Sequence, residues 1–222
     1  MEAVLKVGGS LAGHPAELKA LCKTLSSLAK THKMLIVPGG GAFADVVRRL
    51  DEAYGLSGTT AHKMAVLAMD EFGLFLSDVT PNSQVCYSLK DVGSAEYGLL
   101  PILLPYHYIL REDPLEHSWD ITSDSIAAYI AGVLNAKKLL LIKDVDGIYT
   151  DDPKKTIDAR LVEKLTAKQL LSWNRRTSVD KALPKLLMKF RLNCYVVNGM
   201  HPERVQAILA NRKSVYTHII PH

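Results

Sequence analysis

The sequence predicts an α/β protein, a three-layer α/β/α sandwich on a mainly parallel central sheet. Three observations lead there. Short β-type apolar runs alternate with stretches whose apolar residues recur at helical spacing. The turns between them are short and rich in glycine. The run Leu-Leu-Leu-Ile at 139–142 is continuous rather than alternating, as in parallel strands covered on both faces. Strand, turn and helix in repetition build βαβ units, and ligands of such sheets gather beyond the carboxyl ends of the strands.

The elements follow in order. Positions 4–7 read as a strand ending in Gly8-Gly9-Ser10, and after Pro15 the residues Leu18, Leu21, Cys22, Leu25, Leu28 and Ala29 mark one helical face. The unit recurs at 34–37, which runs into Pro38-Gly39-Gly40-Gly41, with Phe43, Val46, Val47 and Leu50 at helical spacing behind it. Positions 61–76 form a helix too apolar for the free surface, placed in the core or at a subunit interface. Between about 80 and 120 the pattern weakens, and one strand is placed at 102–104. Cap-type residues from Thr122 open a helix with Ile126, Ile130, Val133 and Leu134 on one face. The strand at 137–145 comes next, then helices at about 166–173, 180–191 and 202–211, and strands at 194–197 and 217–220. No solenoid repeat, low-complexity segment or linker divides the chain, so a single domain over 1–222 is expected.

Composition narrows the function classes. With 48% apolar and 23% charged residues the chain has the balance of an ordinary soluble globule. The net charge of +4 is dispersed, which argues against a nucleic-acid surface. Cys22, Cys86 and Cys194 lack CxxC spacing and read as buried residues in a reducing cytoplasm. The N-terminus has no signal-type segment, and the apolar stretch at 97–106 carries two prolines and is too short to span a membrane.

Chemistry concentrates in the turns. Gly8, Gly9 and Ser10, and likewise Gly39, Gly40 and Gly41, place bare backbone amides at strand-to-helix turns, where phosphate oxygens are well held; a glycine turn also serves simply to reverse the chain. Neither GxxxxGK[ST] nor a GxGxxG after the first strand occurs, which argues against a P-loop or a dinucleotide site. Asp124 lies in a first helical turn, where a carboxylate suits the macrodipole. Lys181 opens the helix at 180–191, where the dipole opposes a cation and calls for a compensating anion. Asp144 and Asp146, beyond the strand at 139–142, are candidate metal ligands on first reading. His14, His62, His107 and His117 show no metal spacing and read as packing or surface residues.

The segments "VLKVGGSL", "IVPGGGAFAD", "ITSDSIAAYIA", "LLLIKDVDGIYTDDP", "IDARLVEKL" and "YVVNG" resemble, in order and spacing, the amino acid kinase family. The resemblance spans nearly the whole chain. It implies the amino acid kinase fold, ATP with Mg2+ as phosphoryl donor, a small-molecule carboxylate or phosphate as acceptor, and a homodimer or higher homo-oligomer in the cytoplasm. The N-terminal part would take the acceptor and about 135–222 the nucleotide. Lys6 matches the lysine that neutralises the transferred phosphoryl group, Gly8, Gly9 and Ser10 the loop that donates amides to it, and Asp124 the aspartate that orients two lysines. Lys181 matches the second lysine, although Thr177, Ser178 and Val179 replace the usual Gly-Gly-Met. Lys143, Asp144, Gly147 and Tyr149 fall where the family holds ATP. The comparison turns Asp144 toward the nucleotide and Asp146 toward its own loop, leaving no protein metal ligand. Gly39, Gly40, Gly41, Asp45 and Asp120 fall on the acceptor side. "PGGGAFAD", "MAVLAMDEFG", "SVDKALPKLL" and "YVVNGMHPERV" are most similar to the short kinases of methanofuran and methylofuran synthesis, which convert an aminomethylfuran-methyl phosphate to its diphosphate. Asp45 or Asp70 would then meet the ammonium group. The alternatives are another small-molecule kinase of the family or a non-catalytic nucleotide-binding regulator; the joint presence of Lys6, Asp124 and Lys181 favours a kinase.

Overall fold

A computed structural model describes residues 1–151, 155–173 and 177–222. The first half runs β1 (Ala3–Val7), a 3-10 turn (Gly9–Gly13), α1 (Pro15–Ala29), β2 (Met34–Pro38), α2 (Gly41–Tyr54), α3 (Gly58–Val79), β3 (Ser83–Cys86), α4 (Leu89–Gly93), β4 (Leu100–Leu103) and α5 (Tyr106–Glu112). The second half runs α6 (Ser123–Val133), β5 (Lys138–Lys143), β6 (Lys164–Thr166), α7 (Ala167–Ser172), α8 (Leu183–Phe190), β7 (Asn193–Asn198), α9 (Pro202–Leu209) and β8 (Thr217–Ile220).

The strands form one sheet in the order β3-β4-β2-β1-β5-β7-β8-β6. All neighbours are parallel except β7 and β8, so the last two strands run against the other six. From β1 the chain first builds outward through β2 and later returns to lay β5 on the other side of β1. That reversal is the topological switch point, where open α/β sheets bind ligands.

The continuous apolar strands are explained by burial on both faces. Val4, Leu139 and Leu141 pack in one cluster with Ile126 and Ile130 of α6 and Leu183 and Leu187 of α8. Leu5, Val7, Leu140 and Ile142, of opposite parity, pack in the other with Leu18, Leu21 and Leu25 of α1 and Val205 and Ile208 of α9. Strand alternation thus assigns each side chain to a layer. Cys22, Cys86 and Cys194 are buried free thiols, as expected.

Three expectations change. The weak region holds β3, α4 and α5 besides β4, which begins at Leu100 rather than 102. Residues 164–166 form β6, too short to show a period. The helix expected from 180 begins at Leu183, because Asp180 accepts the Leu183 N–H at 2.9 Å and Pro184 occupies the first turn. The long helix at 61–76 is confirmed and extends over Gly58–Val79; it buries Val66, Met69, Phe72 and Leu76 but leaves Leu67, Leu74 and Phe75 exposed.

Candidate active site

Three charged side chains meet at the switch point. Lys6 on β1 has the parity of Val4, and Lys143 at the end of β5 has that of Leu139 and Leu141, so both project toward the layer containing α6. Asp124 in the first turn of α6 receives both. Lys143 Nζ donates to Asp124 Oδ2 at 2.7 Å, and Lys6 Nζ lies 3.0 Å from Oδ1 in an ion pair without hydrogen-bond geometry. Burial alone would raise the Asp124 carboxyl, but Lys143 and Lys6 together overcome it and hold it at about 2. Lys6 shares this one carboxylate with Lys143, so burial prevails there and its pKa falls below the ordinary lysine range.

A second aspartate fixes the first. Asp180 is partly buried and accepts hydrogen bonds from the Thr122 N–H and Oγ1, the Ser125 N–H and Oγ, and the Leu183 N–H. It thereby caps the starts of α6 and α8 together. Sequence reasoning missed Asp180, because its partners at Thr122 and Ser125 lie more than fifty residues away.

The two glycine turns close around the same point. A Cβ on Gly9 would lie 2.2 Å from both Cα and N of Gly41, and Gly41 itself adopts φ +52°. Only glycine permits this approach. The turns border a cavity of about 750 Å³ whose wall includes Lys6, Gly8, Gly9, Ser10, Gly40, Gly41, Lys143 and Asp144. Gly39 lies just behind, where a Cβ would sit 2.8 Å from the Gly9 N and 3.4 Å from Lys6 Cε.

The remaining candidates divide. Asp45 lines the cavity and pairs with Arg48 at 2.7 Å. Asp146 accepts from Asn198 Nδ2 at 3.0 Å and from Arg204, so it ties its loop to β7 and α9 as the comparison had implied. Gly147 does not line the cavity; a Cβ there would strike Thr217 Oγ1 at 2.4 Å, so close packing on β8 explains this glycine. Tyr149 bridges to Leu161. Asp152 and Pro153, which end the motif, lie outside the described residues. Asp70 does not line the cavity; its Oδ1 accepts the Tyr106 N–H at 3.0 Å, and burial raises its carboxyl to about 6.

Lys181 is not at Asp124. Its Nζ lies 3.0 Å from Asp120, and the two side chains are 65% and 61% exposed. The place expected for it beside Lys6 is taken by Lys143, because Lys181 precedes α8 on a bend turned toward a second cavity of about 220 Å³. Asp120 borders that second cavity as well. The anion expected to compensate Lys181 is therefore Asp120. Arg48 and Trp119, to which sequence reasoning gave no role, and His62, which it read as a packing or surface residue, all line the main cavity.

The donor set fits a nucleotide better than a caged metal. Among the described residues no three His, Cys, Asp or Glu side chains cluster to hold an ion. Asp144, exposed on the cavity wall beside Lys143, could add one carboxylate to a magnesium ion carried largely by phosphates, the usual habit of that ion. Among the described residues no helix is long and apolar enough to cross a membrane.

Comparison with known proteins completes the picture. A match described as amino acid kinase family covers residues 1–198. A protein of Methanocaldococcus jannaschii named [5-(aminomethyl)furan-3-yl]methyl phosphate kinase is 38% identical over 221 residues, 98% of this chain and 97% of its own. The uridylate kinase of Archaeoglobus fulgidus is 25% identical over 215 residues, 92% of this chain and 94% of its own. A crystal structure of uridylate kinase from that organism superposes with a TM-score of 0.78 at 22% identity, covering 99% of this chain and 100% of its own. The isopentenyl phosphate kinase of T. acidophilum, solved as a product complex, gives 0.66 at 21% identity, covering 99% and 100%. These two structures share the fold, as the sequence had predicted.

Proposed function

Since the chain belongs to the amino acid kinase family, we propose that it transfers the γ-phosphoryl group of ATP to the phosphate of an aminomethylfuran-methyl phosphate, giving the diphosphate. The full-length 38% identity to the M. jannaschii kinase supports this acceptor. One observation carries the phosphoryl chemistry: Lys6 and Lys143 share Asp124 at the floor of a cavity rimmed by two glycine turns.

An oxygen of the acceptor phosphate attacks the γ-phosphorus, the bond to the bridging oxygen breaks, and ADP leaves. The protein has little covalent work in such a step; it aligns the reactants and neutralises charge. Lys6 and Lys143 face the three γ-oxygens, while Asp124 fixes their spacing. Gly8, Gly9 and Ser10 donate amides to the transferred group, and Gly39, Gly40, Gly41 and Asp45 border the acceptor. A magnesium ion, held on the phosphates beside Asp144, would neutralise further charge on the donor. The nucleotide lies along the C-terminal part, about 135–222, with Tyr149 and Gly147 in the loop beside it and Lys181 and Asp120 toward its outer end. Lys143, rather than Lys181, is the second cation at the reacting phosphorus.

The test is turnover with MgATP, followed by ADP release and phosphorus NMR of the product. The furan phosphate should yield a diphosphate, whereas acetylglutamate, UMP and isopentenyl phosphate should not react. Turnover of one of these three in its place would remove the acceptor and leave the family; no turnover of any would favour the non-catalytic regulator.

Leu67, Leu74 and Phe75 form an exposed apolar row on α3, with Lys63 and Glu71 one turn either side of Leu67. An antiparallel pairing of two copies about Leu67 would set each Lys63 against a Glu71, so a homodimer through α3 is proposed. Sedimentation should give a dimer that Leu67→Glu dissociates; a monomeric wild type would contradict it. The three buried free cysteines suit a reducing compartment such as the cytoplasm.

A further inference from the structure

The acceptor side of the cavity holds one side chain that neither packing nor phosphoryl transfer explains. His62, on α3, is 8% exposed and lines the cavity beside Ala65, Val66 and Met69. Among the described residues none hydrogen-bonds to its ring, which borders the open cavity. Its ring instead stacks on that of His117, with centroids 4.5 Å apart and planes 19° from parallel. His117 is itself clamped, at one ring nitrogen by Thr59 Oγ1 (3.0 Å) and at the other by Asp113 (2.8 Å). The stack fixes the plane of His62 and leaves its ring nitrogens to find a partner in the cavity.

The surroundings restrict that partner. On α2, Asp45 pairs with Arg48, whose guanidinium lies 5.0 Å over the Trp119 ring, and Trp119 donates to Asp51 at 2.6 Å. The charged or titratable groups around His62 include His117 and Asp113 behind it, Asp51 in a small pocket that His62 and Trp119 also line, and Asp45 and Arg48 across the cavity. Burial, and then His117, push the His62 ring below the ordinary histidine range, with Asp113 opposing them less. His62 is left with one accepting nitrogen, and with Asp45 it offers two acceptors on a largely apolar wall. That pattern suits a flat ring with a cationic arm, the phosphate end lying on the glycine turns.

We propose that His62 is a specificity-determining residue of the acceptor site, one of its ring nitrogens accepting a hydrogen bond from the ammonium arm of the acceptor. This rests on the acceptor reading above. It selects amine-bearing acceptors over isosteric neutral ones. Acidification that protonates His62 removes the acceptor and sets two cations face to face, so KM for the amine substrate rises as pH falls while kcat changes less.

The experiment compares two acceptors, the aminomethylfuran-methyl phosphate and its analogue with methyl in place of aminomethyl. His62→Phe keeps the stack and removes the accepting nitrogen; His62→Gln keeps an acceptor. His62→Phe is expected to raise KM for the amine by about 10- to 100-fold, the range of a hydrogen bond to a charged group. KM for the methyl analogue and for ATP should stay within about threefold, and His62→Gln should restore part of the loss. Equal effects on both acceptors, or none on either, would overturn the inference while leaving the acceptor reading intact. Failure of wild type to use either furan would end the acceptor reading, and this inference with it. If His62→Phe does not fold, the imidazole resonances of wild-type His62 decide: they should move on adding the amine acceptor and not on adding the methyl analogue, and the reverse would overturn the inference.

Discussion

Replacing Lys143 with methionine separates the observed arrangement from the one that family spacing implied. Lys143 Nζ lies 2.7 Å from Asp124 Oδ2, and its side chain is only 14% exposed. At an effective dielectric constant of about 20, two unit charges at that separation attract by roughly 6 kcal/mol. The cost of dehydrating the ammonium offsets much of this, and Lys6 still balances Asp124 in the variant, so a loss of stability of about 1–3 kcal/mol is expected. Catalysis should suffer more. Removing one preorganised charge or donor from a developing anionic centre costs about 10²–10³ in kcat. Lys143→Met should therefore lower kcat by that factor, and Lys6→Ala by at least as much.

Lys181→Met is the decisive companion. Its pair with Asp120 is exposed on both sides, and such pairs contribute about 0–1 kcal/mol. With Lys181 remote from Asp124, kcat should stay within a few-fold of wild type. The measurements are kcat from coupled ADP release at saturating substrates and a thermal melt for each variant. A loss of about 10²-fold or more in Lys181→Met, with Lys143→Met near wild type, would refute the reasoning. It would mean that nucleotide binding carries Lys181 to the phosphorus and that Lys143 serves only as a partner of Asp124.

Two further outcomes test other parts of the structure. Gly9→Ala places a Cβ 2.2 Å from the Gly41 backbone, so the two turns must separate; KM for both substrates should rise at least about tenfold, and a wild-type KM would show that the contact is dispensable. Asp70 has a folded carboxyl pKa of about 6 against an ordinary 3.8, so the folded state binds its proton more tightly and the charged form costs stability as pH rises through that window. Asp70→Asn keeps the acceptor for the Tyr106 N–H without the charge, so its melting temperature should exceed wild type above about pH 6 and converge with it below about pH 4; a constant or reversed difference would refute this.

Much of the site was legible before the structure, and the gaps have physical causes. Lys6, Gly8, Gly9, Ser10, Gly40, Gly41 and Asp124 lie where strand-end turns and a helix start put them, and such local patterns are what sequence displays well. Lys143 carried a usable signal, since Leu139, Leu141 and Lys143 share one strand face and Val4 and Lys6 share the same face one strand away. Parity therefore paired the two lysines, whereas distance to the "YVVNG" strand pointed to Lys181. Asp180 gave no such sign, because a carboxylate that caps a helix start fifty residues away is set by tertiary contact and not by any period. His62 looked like a packing residue because its meaning lies in His117 and in a wall formed by three separate segments. The stretch from about 80 to 120 stayed obscure because its strands and helices are short; β3 is only half-buried and follows Pro81 and Asn82, the latter at φ +51°.

The two ends of the cavity are built to different tolerances, and this bears on how such a kinase could change its substrate. At the phosphoryl end, Asp180 fixes the first turn of α6 with backbone and hydroxyl bonds, α6 presents Asp124, and Asp124 sets both lysines on adjacent central strands. Asp124 and Lys6 are buried and Asp180 and Lys143 largely so, and all are fixed by protein contacts, so the positive charges are in place before any phosphate arrives, which is the condition for electrostatic preorganisation to accelerate the reaction. At the acceptor end, Asp45 and Arg48 are partly exposed, pair only three residues apart on one helix, and are held by a ring contact to Trp119. Side chains there can be exchanged without disturbing the sheet or the Asp180–Asp124 relay. Under the proposed function, acceptor choice would be carried by α2, α3 and the segment around Trp119, and phosphoryl transfer by β1, β5 and α6. Substitutions in the first group should alter which acceptor reacts, and substitutions in the second should alter how fast any of them does.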